Sequence, residues 1–356
     1  VFVCFWMSFL LKFFFDNLDK KILELVSKRA DCAKKIGTLK KDGVIYKPER
    51  EAQIYRKLIE ENKGPLSSES IRSIFSSIIS SCRALEKKLA VSFLGPQGTF
   101  SEEAAIKRFG NNIHFVPAAS IDEVFSNVQS NESQYGVVPV ENSTEGAVSR
   151  TLDLLLSSDL KICGEVILPI HHNLMASVSN LKSIKKVYSH GQSLAQCHNW
   201  LMNHLPNVET QVVFSNSEGV RLAKKEKGSA AIASERAANL YNLKVIRENI
   251  EDEKTNTTRF LILSSQDTKK SGDDKTSIVV ATKNKPGAIA DLVQPFAKNK
   301  VSMTKLESRP AKIGMWEYVF FIDLDGHHDD PKIKKSLAEV ESKASFLKHL
   351  GSYPKY

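Results

Sequence analysis

The first ninety residues space their apolar side chains at helical intervals throughout. From Leu11, apolar positions recur at Phe15, Leu18, Ile22 and Leu25, steps of four, three, four and three along one face. Lys41-Asp42-Gly43 breaks the rhythm. A second helix is predicted from Pro48, a tolerated first-turn residue, through Ile54 and Leu58 to Asn62. Lys63-Gly64-Pro65 stops it, and a third carries Ile71, Ile74, Phe75, Ile78 and Ile79 towards Leu89. Three such helices cannot bury these broad apolar faces alone, which predicts at least a dimer. The opening VFVCFWMSFLLKFFF raises the question of export or membrane insertion. It lacks a basic leading region and a small-residue cleavage motif, and the heptad spacing runs straight past it. It is therefore read as the start of the first helix, with Met7 a candidate initiator. Past residue 15, no apolar run reaches the roughly 18 residues of a membrane span.

At Val91 the pattern changes to short strands alternating with helices. Val91–Leu94 runs into Thr99–Glu102, a Thr-x-x-Glu capping box. The signature recurs at Ser120–Glu123, Ser189–Gln192 and Ser215–Glu218, with Asn142–Glu145 a looser variant. Most follow strand-like runs, at Tyr135–Val140, Val187–Tyr188 and Val212–Phe214. Repeated strand, cap and helix is an α/β arrangement, and it delivers several helix N-termini to one sheet edge, where an anion is favoured. The apolar Ile167-Leu168-Pro169-Ile170 reads as a crossover between two lobes. A polar linker spans about Ser264 to Lys275. Beyond it, strands at Thr276–Thr282, Val301–Glu307 and Trp316–Leu324, helices at Gly287–Lys298 and Pro331–His349, and a short closing strand at Gly351–Tyr356 predict a small ferredoxin-like βαββαβ module.

Composition narrows the function classes. A chain of 356 residues with 42% hydrophobic and 26% charged residues has room for two or three domains with proper cores. The net charge of +9 is spread along the chain, with no compact basic tract interleaved with aromatics, so no nucleic-acid partner is expected. A mildly basic surface suits small anionic substrates. Five scattered cysteines without CxxC spacing argue for a reducing, cytoplasmic setting and against structural zinc. Gly95-Pro96-Gln97-Gly98 lacks the lysine of a nucleotide-binding loop. Adjacent His171 and His172 on a strand would face opposite ways, and His327-His328-Asp329-Asp330 reads as a turn before a helix. No metal and no cofactor are expected.

Four stretches of the middle segment, FLGPQGTFSEEAA (93–105), GVVPVENSTEG (136–146), YSHGQSLAQC (188–197) and TNTTRF (255–260), together resemble the prephenate dehydratase family in order and spacing. The tail, with KPGAI (285–289) and LESRP (306–310), is similar to phenylalanine-binding ACT domains. The first ninety residues resemble the all-helical class of chorismate mutase, through Arg29, Lys40, Arg50-Glu51 and Glu86. The resemblance implies a helical mutase domain over 1–90, a two-lobed α/β dehydratase domain of periplasmic-binding-protein type over 91–268, and an ACT domain over 275–356.

It also implies residue roles, with chorismate and prephenate as substrates and L-phenylalanine as inhibitor. In the mutase, Arg29 and Arg50 would grip the carboxylates, Lys40 would donate to the ether oxygen beside Glu86, and Glu51 would hold the hydroxyl. Lys12 stands where the family has an arginine reaching into the partner subunit's site, keeping the charge but losing the planar fork. Cys82 replaces a small polar residue. In the dehydratase, Thr258 would serve the leaving hydroxyl, with Arg259 and Phe260 beside it. Thr99, Glu141, Asn142, Ser143, Ser189 and Gln196 occupy the other site motifs. Phenylalanine would sit against Gly287, Ala288, Ile289, Glu307, Ser308, Arg309 and Pro310. Taken without the resemblance, Thr99 and Ser189 are helix caps, Thr258 is a strand residue, and the mutase charges are ordinary solvated side chains. Two alternatives stay open: a dehydratase with an impaired mutase, and an exported two-lobed binding protein for a small anion.

Overall fold

The computed structural model describes residues 2–39, 46–282, 285–310 and 318–355, with side chains from residue 11 onward. Lys40, the break at Lys41-Asp42-Gly43, and Trp316 at the start of a predicted strand lie outside the described residues. The chain divides into two compact units, one of residues 1–47, 54–89 and 109–114, the other of the remainder.

The first unit holds α1 (Phe2–Leu39), the greater part of α2 (Pro48–Glu61) and α3 (Ser68–Glu86). Pro48 opens α2, as its missing N–H allows, and Ser67 caps α3 by accepting from the Ser70 N–H at 3.1 Å. Helices α1 and α3 run against each other. A Cβ on Gly37 would lie 3.0 Å from Glu86 Cα, so a larger residue there would push the two helices apart by a few tenths of an ångström. From Leu11 to Leu25, α1 leaves its apolar side chains uncovered, Leu11, Phe13, Phe14, Phe15, Ile22, Leu23 and Leu25 among them. No helix among the described residues is long and apolar enough to cross a membrane.

The second unit begins with β1 (Ala90–Leu94), α4 (Phe100–Phe109), β2 (His114–Ala118), α5 (Ile121–Gln129), β3 (Tyr135–Asn142), β4 (Gly146–Ala147), α6 (Ser149–Ser157) and β5 (Lys161–Pro169). The chain then crosses to β6 (Asn173–Ala176), β7 (Lys186–Ser189), α7 (Gly191–Gln196), α8 (His198–His204), β8 (Glu209–Val212), α9 (Asn216–Lys225), β9 (Ser229–Ala233), α10 (Glu235–Tyr241) and β10 (Lys244–Arg247). It returns as β11 (Thr257–Ser264), and closes with β12 (Asp274–Ala281), α11 (Ala288–Lys298), β13 (Met303–Pro310), β14 (Tyr318–Asp325), α12 (Pro331–Glu341) and β15 (Phe346–Pro354).

Three sheets result, ordered β2-β1-β3-β11-β5 with β4 beside β3, then β10-β6-β9-β7-β8, then β13-β14-β12-β15. The first two are mixed: β1 pairs parallel with β3, whereas β11 lies antiparallel between β3 and β5. Two segments link these sheets, 170–172 outward and 248–256 on the return. They touch where the Ile170 N–H donates to the Asn256 carbonyl at 2.9 Å. The third sheet is antiparallel with its helices on one face, the expected ferredoxin-like order. Ile278 and Val280 of β12 pack under α11 and α12, while Val279 turns the other way into a core shared with Ile162, Leu261 and Leu263. Burial on both faces explains the unbroken apolar run Ile278-Val279-Val280-Ala281.

The structure corrects three local expectations. The helix predicted over Pro331–His349 ends at Glu341, and β15 begins at Phe346 rather than near Gly351. Pairing with β12 along the whole strand, and burial of Leu350 and Tyr353, outweigh a helical propensity that is only a weak bias. Ser189 caps nothing: α7 starts at Gly191, and the ring of His190 accepts from the Gln192 N–H instead. Asn142 starts no helix; its Oδ1 accepts from the Thr144 and Glu145 N–H groups in a turn after β3. The boxes at Ser120 and Ser215 cap α5 and α9 as predicted.

Candidate active site

Thr258 lies on β11 directly opposite Asn142 of β3, and both are buried. Asn142 Nδ2 donates to Thr258 Oγ1 at 2.8 Å and to Asn256 Oδ1 at 2.8 Å. This orientation is not a free choice. Backbone N–H groups of Thr144 and Glu145 both donate to Asn142 Oδ1, at 3.0 and 3.1 Å, so the other terminus must be the NH2. Thr258 Oγ1 is therefore an acceptor towards Asn142, and its own proton meets no acceptor among the described residues. A buried hydroxyl held by one lone pair with its proton unspent is a preorganised donor.

Around this pair, Ser143 Oγ accepts from the Thr257 N–H at 2.9 Å. Gln196, at the end of α7, donates from Nε2 to Thr144 Oγ1 at 3.0 Å and accepts at Oε1 from Asn256 Nδ2 at 3.1 Å. Asn142, Ser143, Gln196 and Thr258 are thus brought together. Asn256 and Thr144, which the sequence reading passed over, join them. Asn256 stood inside the quoted TNTTRF stretch, two residues before Thr258, so β-strand alternation was the available signal.

Other site candidates are placed elsewhere. Thr99 Oγ1 donates to the Leu94 carbonyl at 3.0 Å and accepts from the Glu102 N–H, capping α4. Gly98 before it has φ +84°, and a Cβ there would come within 2.7 Å of Ser217 Oγ, so the loop requires glycine. Ser189 is fully buried, and its hydroxyl faces Asn216 Oδ1 and the Ile232 carbonyl, each at 2.8 Å. Phe260 is core.

Glu141 and Arg259 face away from the Thr258 network, as alternation demands. Glu141 Oε2 receives Lys305 Nζ at 2.7 Å, and the same ammonium reaches Glu307 Oε2 at 3.0 Å. Arg259 contacts Glu165 and Asp323, both at 2.7 Å, and donates to Tyr353 OH at 3.0 Å. Burial works against the guanidinium's charge, but Tyr353, Asp323 and Glu165 around it more than offset that and raise its pKa. Burial, joined by the charge of Asp323, drives the Tyr353 phenol well above its usual range, so it stays protonated.

On the third sheet, Gly287 (φ +80°) precedes α11 with open space where a Cβ would stand. Ala288 is buried and Ile289 exposed. Along β13, Glu307 and Arg309 share one face with Lys305; Arg309 contacts Asp153 at 3.2 Å and donates to the Ser149 carbonyl. Ser308 and Pro310 are exposed. His327 is a turn residue: its Nε2 faces the Thr268 carbonyl and its Nδ1 accepts from the Asp329 N–H, so both ring nitrogens are occupied.

Of the mutase candidates, Lys12 and Arg29 lie on α1, Arg50 and Glu51 on the first turn of α2, and Cys82 and Glu86 on α3. Lys12 and Arg50 are exposed, Arg29 and Glu86 half-buried, Glu51 and Cys82 buried.

Three family models match in succession: chorismate mutase type II over residues 15–87, prephenate dehydratase over 91–268, and the ACT domain over 276–342. The bifunctional chorismate mutase/prephenate dehydratase of Stutzerimonas stutzeri is 50% identical over 348 residues, covering 96% of this chain and 95% of that protein. The Pseudomonas aeruginosa enzyme of the same name is 49% identical with the same coverage. A solved prephenate dehydratase from Arthrobacter aurescens, in complex with L-Phe, shares 32% identity at a TM-score of 0.69, covering 75% of this chain and 90% of that one. Helical domain, Thr258 network and closing sheet fall in the order of these matches, and the chain belongs to the bifunctional chorismate mutase/prephenate dehydratase family.

Proposed function

We propose that this chain rearranges chorismate to prephenate in its helical domain, converts prephenate to phenylpyruvate at the Thr258 site, and is feedback-inhibited by L-phenylalanine at its ACT domain. The observation that carries the second step is the Thr258 hydroxyl, held by Asn142 with its proton free to donate. In the reaction the ring carboxylate leaves as CO2, its bonding electron pair moves through the ring, and the C–O bond opposite breaks as the ring becomes aromatic. The departing oxygen takes up one proton and leaves as water. Thr258 donates to that oxygen as its charge builds. Asn142, Ser143 and Gln196 shape the surrounding polar wall. Thr99 supports it by capping α4, Ser189 by its buried bonds to Asn216 and the Ile232 carbonyl, and Phe260 supports β11 from the core.

The mutase step needs no nucleophile, only cations that hold a reactive conformer and meet the charge developing on the ether oxygen. Arg29 and Arg50 take the carboxylates, Lys40 the ether oxygen near Glu86 and Cys82, and Glu51 the hydroxyl. The uncovered apolar side of α1 supports a homodimer in which Lys12 serves the partner subunit's site. The scattered cysteines and the anionic substrates support a cytoplasmic enzyme without cofactor. A Lys12→Arg variant, which restores a two-pronged donor, should raise mutase turnover severalfold and leave dehydratase turnover alone. Equal or lower mutase turnover would refute that role.

Phenylalanine at Gly287, Ala288, Ile289 and the Glu307–Pro310 strand would compete for Glu307 through its ammonium group. Lys305 bridges Glu307 and Glu141, so such competition is felt one residue from Asn142. Lys305→Met should weaken inhibition by phenylalanine about tenfold while phenylalanine still binds, measured by calorimetry beside rate assays. Unaltered inhibition would remove Lys305 from the route. The overall test is a coupled assay: purified protein, chorismate supplied, and prephenate and phenylpyruvate followed with and without phenylalanine. Absence of prephenate would sink the mutase assignment; prephenate left unconverted would sink the dehydratase.

A further inference from the structure

We propose that His172 is a positioning residue of the dehydratase site, acting as the Nε2–H tautomer whose donation to Gln196 steadies the far end of the line of amides that orients the Thr258 hydroxyl. The inference rests on the reading of Thr258 given above.

The direction of every bond in the line follows from backbone donors. The Thr144 and Glu145 N–H groups make Asn142 Oδ1 an acceptor, so Asn142 Nδ2 donates to Asn256 Oδ1. Asn256 must then present its own NH2 to Gln196 Oε1, at 3.1 Å. From the other side, Thr144 Oγ1 lies 2.6 Å from Asn142 Oδ1 and donates to it, so it accepts from Gln196 Nε2. Both routes leave Gln196 Oε1 as the acceptor end. His172 Nε2 sits 2.9 Å from that oxygen, and only a ring nitrogen carrying its proton can face it. The other nitrogen, Nδ1, is buried without a partner among the described residues. Burial lowers the pKa of the ring, which favours the neutral form with a single tautomer.

The ring is held as a positioning group should be. His172 is almost wholly buried, its backbone N–H donates to Glu251 Oε2 at 2.8 Å, and its backbone carbonyl accepts from the Ile250 N–H at 2.8 Å. The Phe100 ring meets it edge-on, 5.7 Å between centroids. His171 next to it turns away to Glu251 Oε1. His172 lies on the outward crossover between the first two sheets and Asn256 on the return, so Gln196 is clamped between the two crossings. Without the Nε2–H, Gln196 Oε1 loses one of its two donors and the amide is held only by Asn256 and Thr144. Asn256, and through it the Asn142 amide that bonds the Thr258 hydroxyl, is then held less firmly, while the Thr144 and Glu145 N–H groups still set which way Asn142 points.

Two substitutions separate donor from volume. His172→Phe keeps the ring's bulk without a donor; His172→Gln carries an amide N–H in place of Nε2–H. Dehydratase kcat and KM are measured with prephenate supplied, each rate normalised to mutase turnover of the same preparation as a count of folded protein. His172→Phe should lower dehydratase kcat about 10- to 100-fold with KM changed less than about threefold, since the defect is in orientation. His172→Gln should recover kcat to within about threefold of the parent. In a Gln196→Ala background, His172→Phe should add little further loss, because both act on one line. Parental kcat in His172→Phe would overturn the proposal, and so would equal impairment of the Phe and Gln variants or full additivity with Gln196→Ala. Failure of the underlying reading shows separately, as parental dehydratase activity in a Thr258→Val variant.

Discussion

A Thr258→Val variant is expected to lose prephenate dehydration by about 10²- to 10³-fold, the range seen when one preorganised donor is removed from a site of developing negative charge. Prephenate made from chorismate should then accumulate, which a single chromatographic time course detects alongside the missing phenylpyruvate. Valine keeps the shape of threonine, so β11 and its buried neighbours stay in place. The side effect is that Asn142 Nδ2 loses an acceptor in a buried setting, costing about 1–3 kcal/mol. Thr258→Ser retains the hydroxyl and should keep most activity. Loss of activity in the serine variant equal to that in valine would mean the methyl group, not the proton, is what the site requires. Parental activity in the valine variant would remove Thr258 from the chemistry altogether.

Much of this site was legible in the sequence because its residues stand in short local patterns. The turn after β3, Glu141-Asn142-Ser143, and the strand Thr257-Thr258-Arg259 each carry their chemistry within a few positions, and the family resemblance supplied the order. What was not legible is pairing across long separations. Asn142 and Asn256 are 114 residues apart and His172 and Gln196 are 24 apart, and nothing in local spacing says that one amide will face another. His171-His172 was weighed as a metal pair on a strand; the structure puts it on a crossover, where each ring finds a different polar partner. Ser189 shows the opposite failure. Its local pattern was a good cap, but burial on the second sheet gave its hydroxyl two stronger claims, Asn216 and the Ile232 carbonyl. The start of the closing strand reads as helix because the partner that pairs with it, β12, lies 65 to 80 positions back, with Ala281 opposite Phe346 and Asp274 opposite Pro354, and cannot be seen from the local sequence.

Arg259 is one residue from Thr258 and should behave in the opposite way. Its guanidinium bonds Glu165 of β5 and Asp323 of β14, each at 2.7 Å, and donates to Tyr353 of β15. The carboxylates are themselves nearly buried, with side chains 3% and 10% exposed. Lys275 also reaches Glu165 at 2.7 Å, whereas among the described residues the other side chain bonded to the Asp323 carboxylate is the neutral Ser277 at 2.6 Å. Arg259→Met keeps the aliphatic stem and removes the charge, leaving Asp323 buried without a cation. Breaking such a pair from one side costs about 3–5 kcal/mol, against well under 1 kcal/mol for an exposed pair such as Lys57–Glu61. The expected result is a large fall in the unfolding midpoint of the dehydratase and ACT domains, read by denaturant titration. At a temperature where the variant stays folded, KM for prephenate should change less than about threefold. A tenfold rise in KM with an unmoved midpoint would place the guanidinium on the substrate instead. Alternation along one strand therefore predicts that neighbouring substitutions separate chemistry from cohesion: position 258 loses turnover while the fold holds, and position 259 loses the joint between catalytic and regulatory sheets while the Thr258 hydroxyl keeps its orientation.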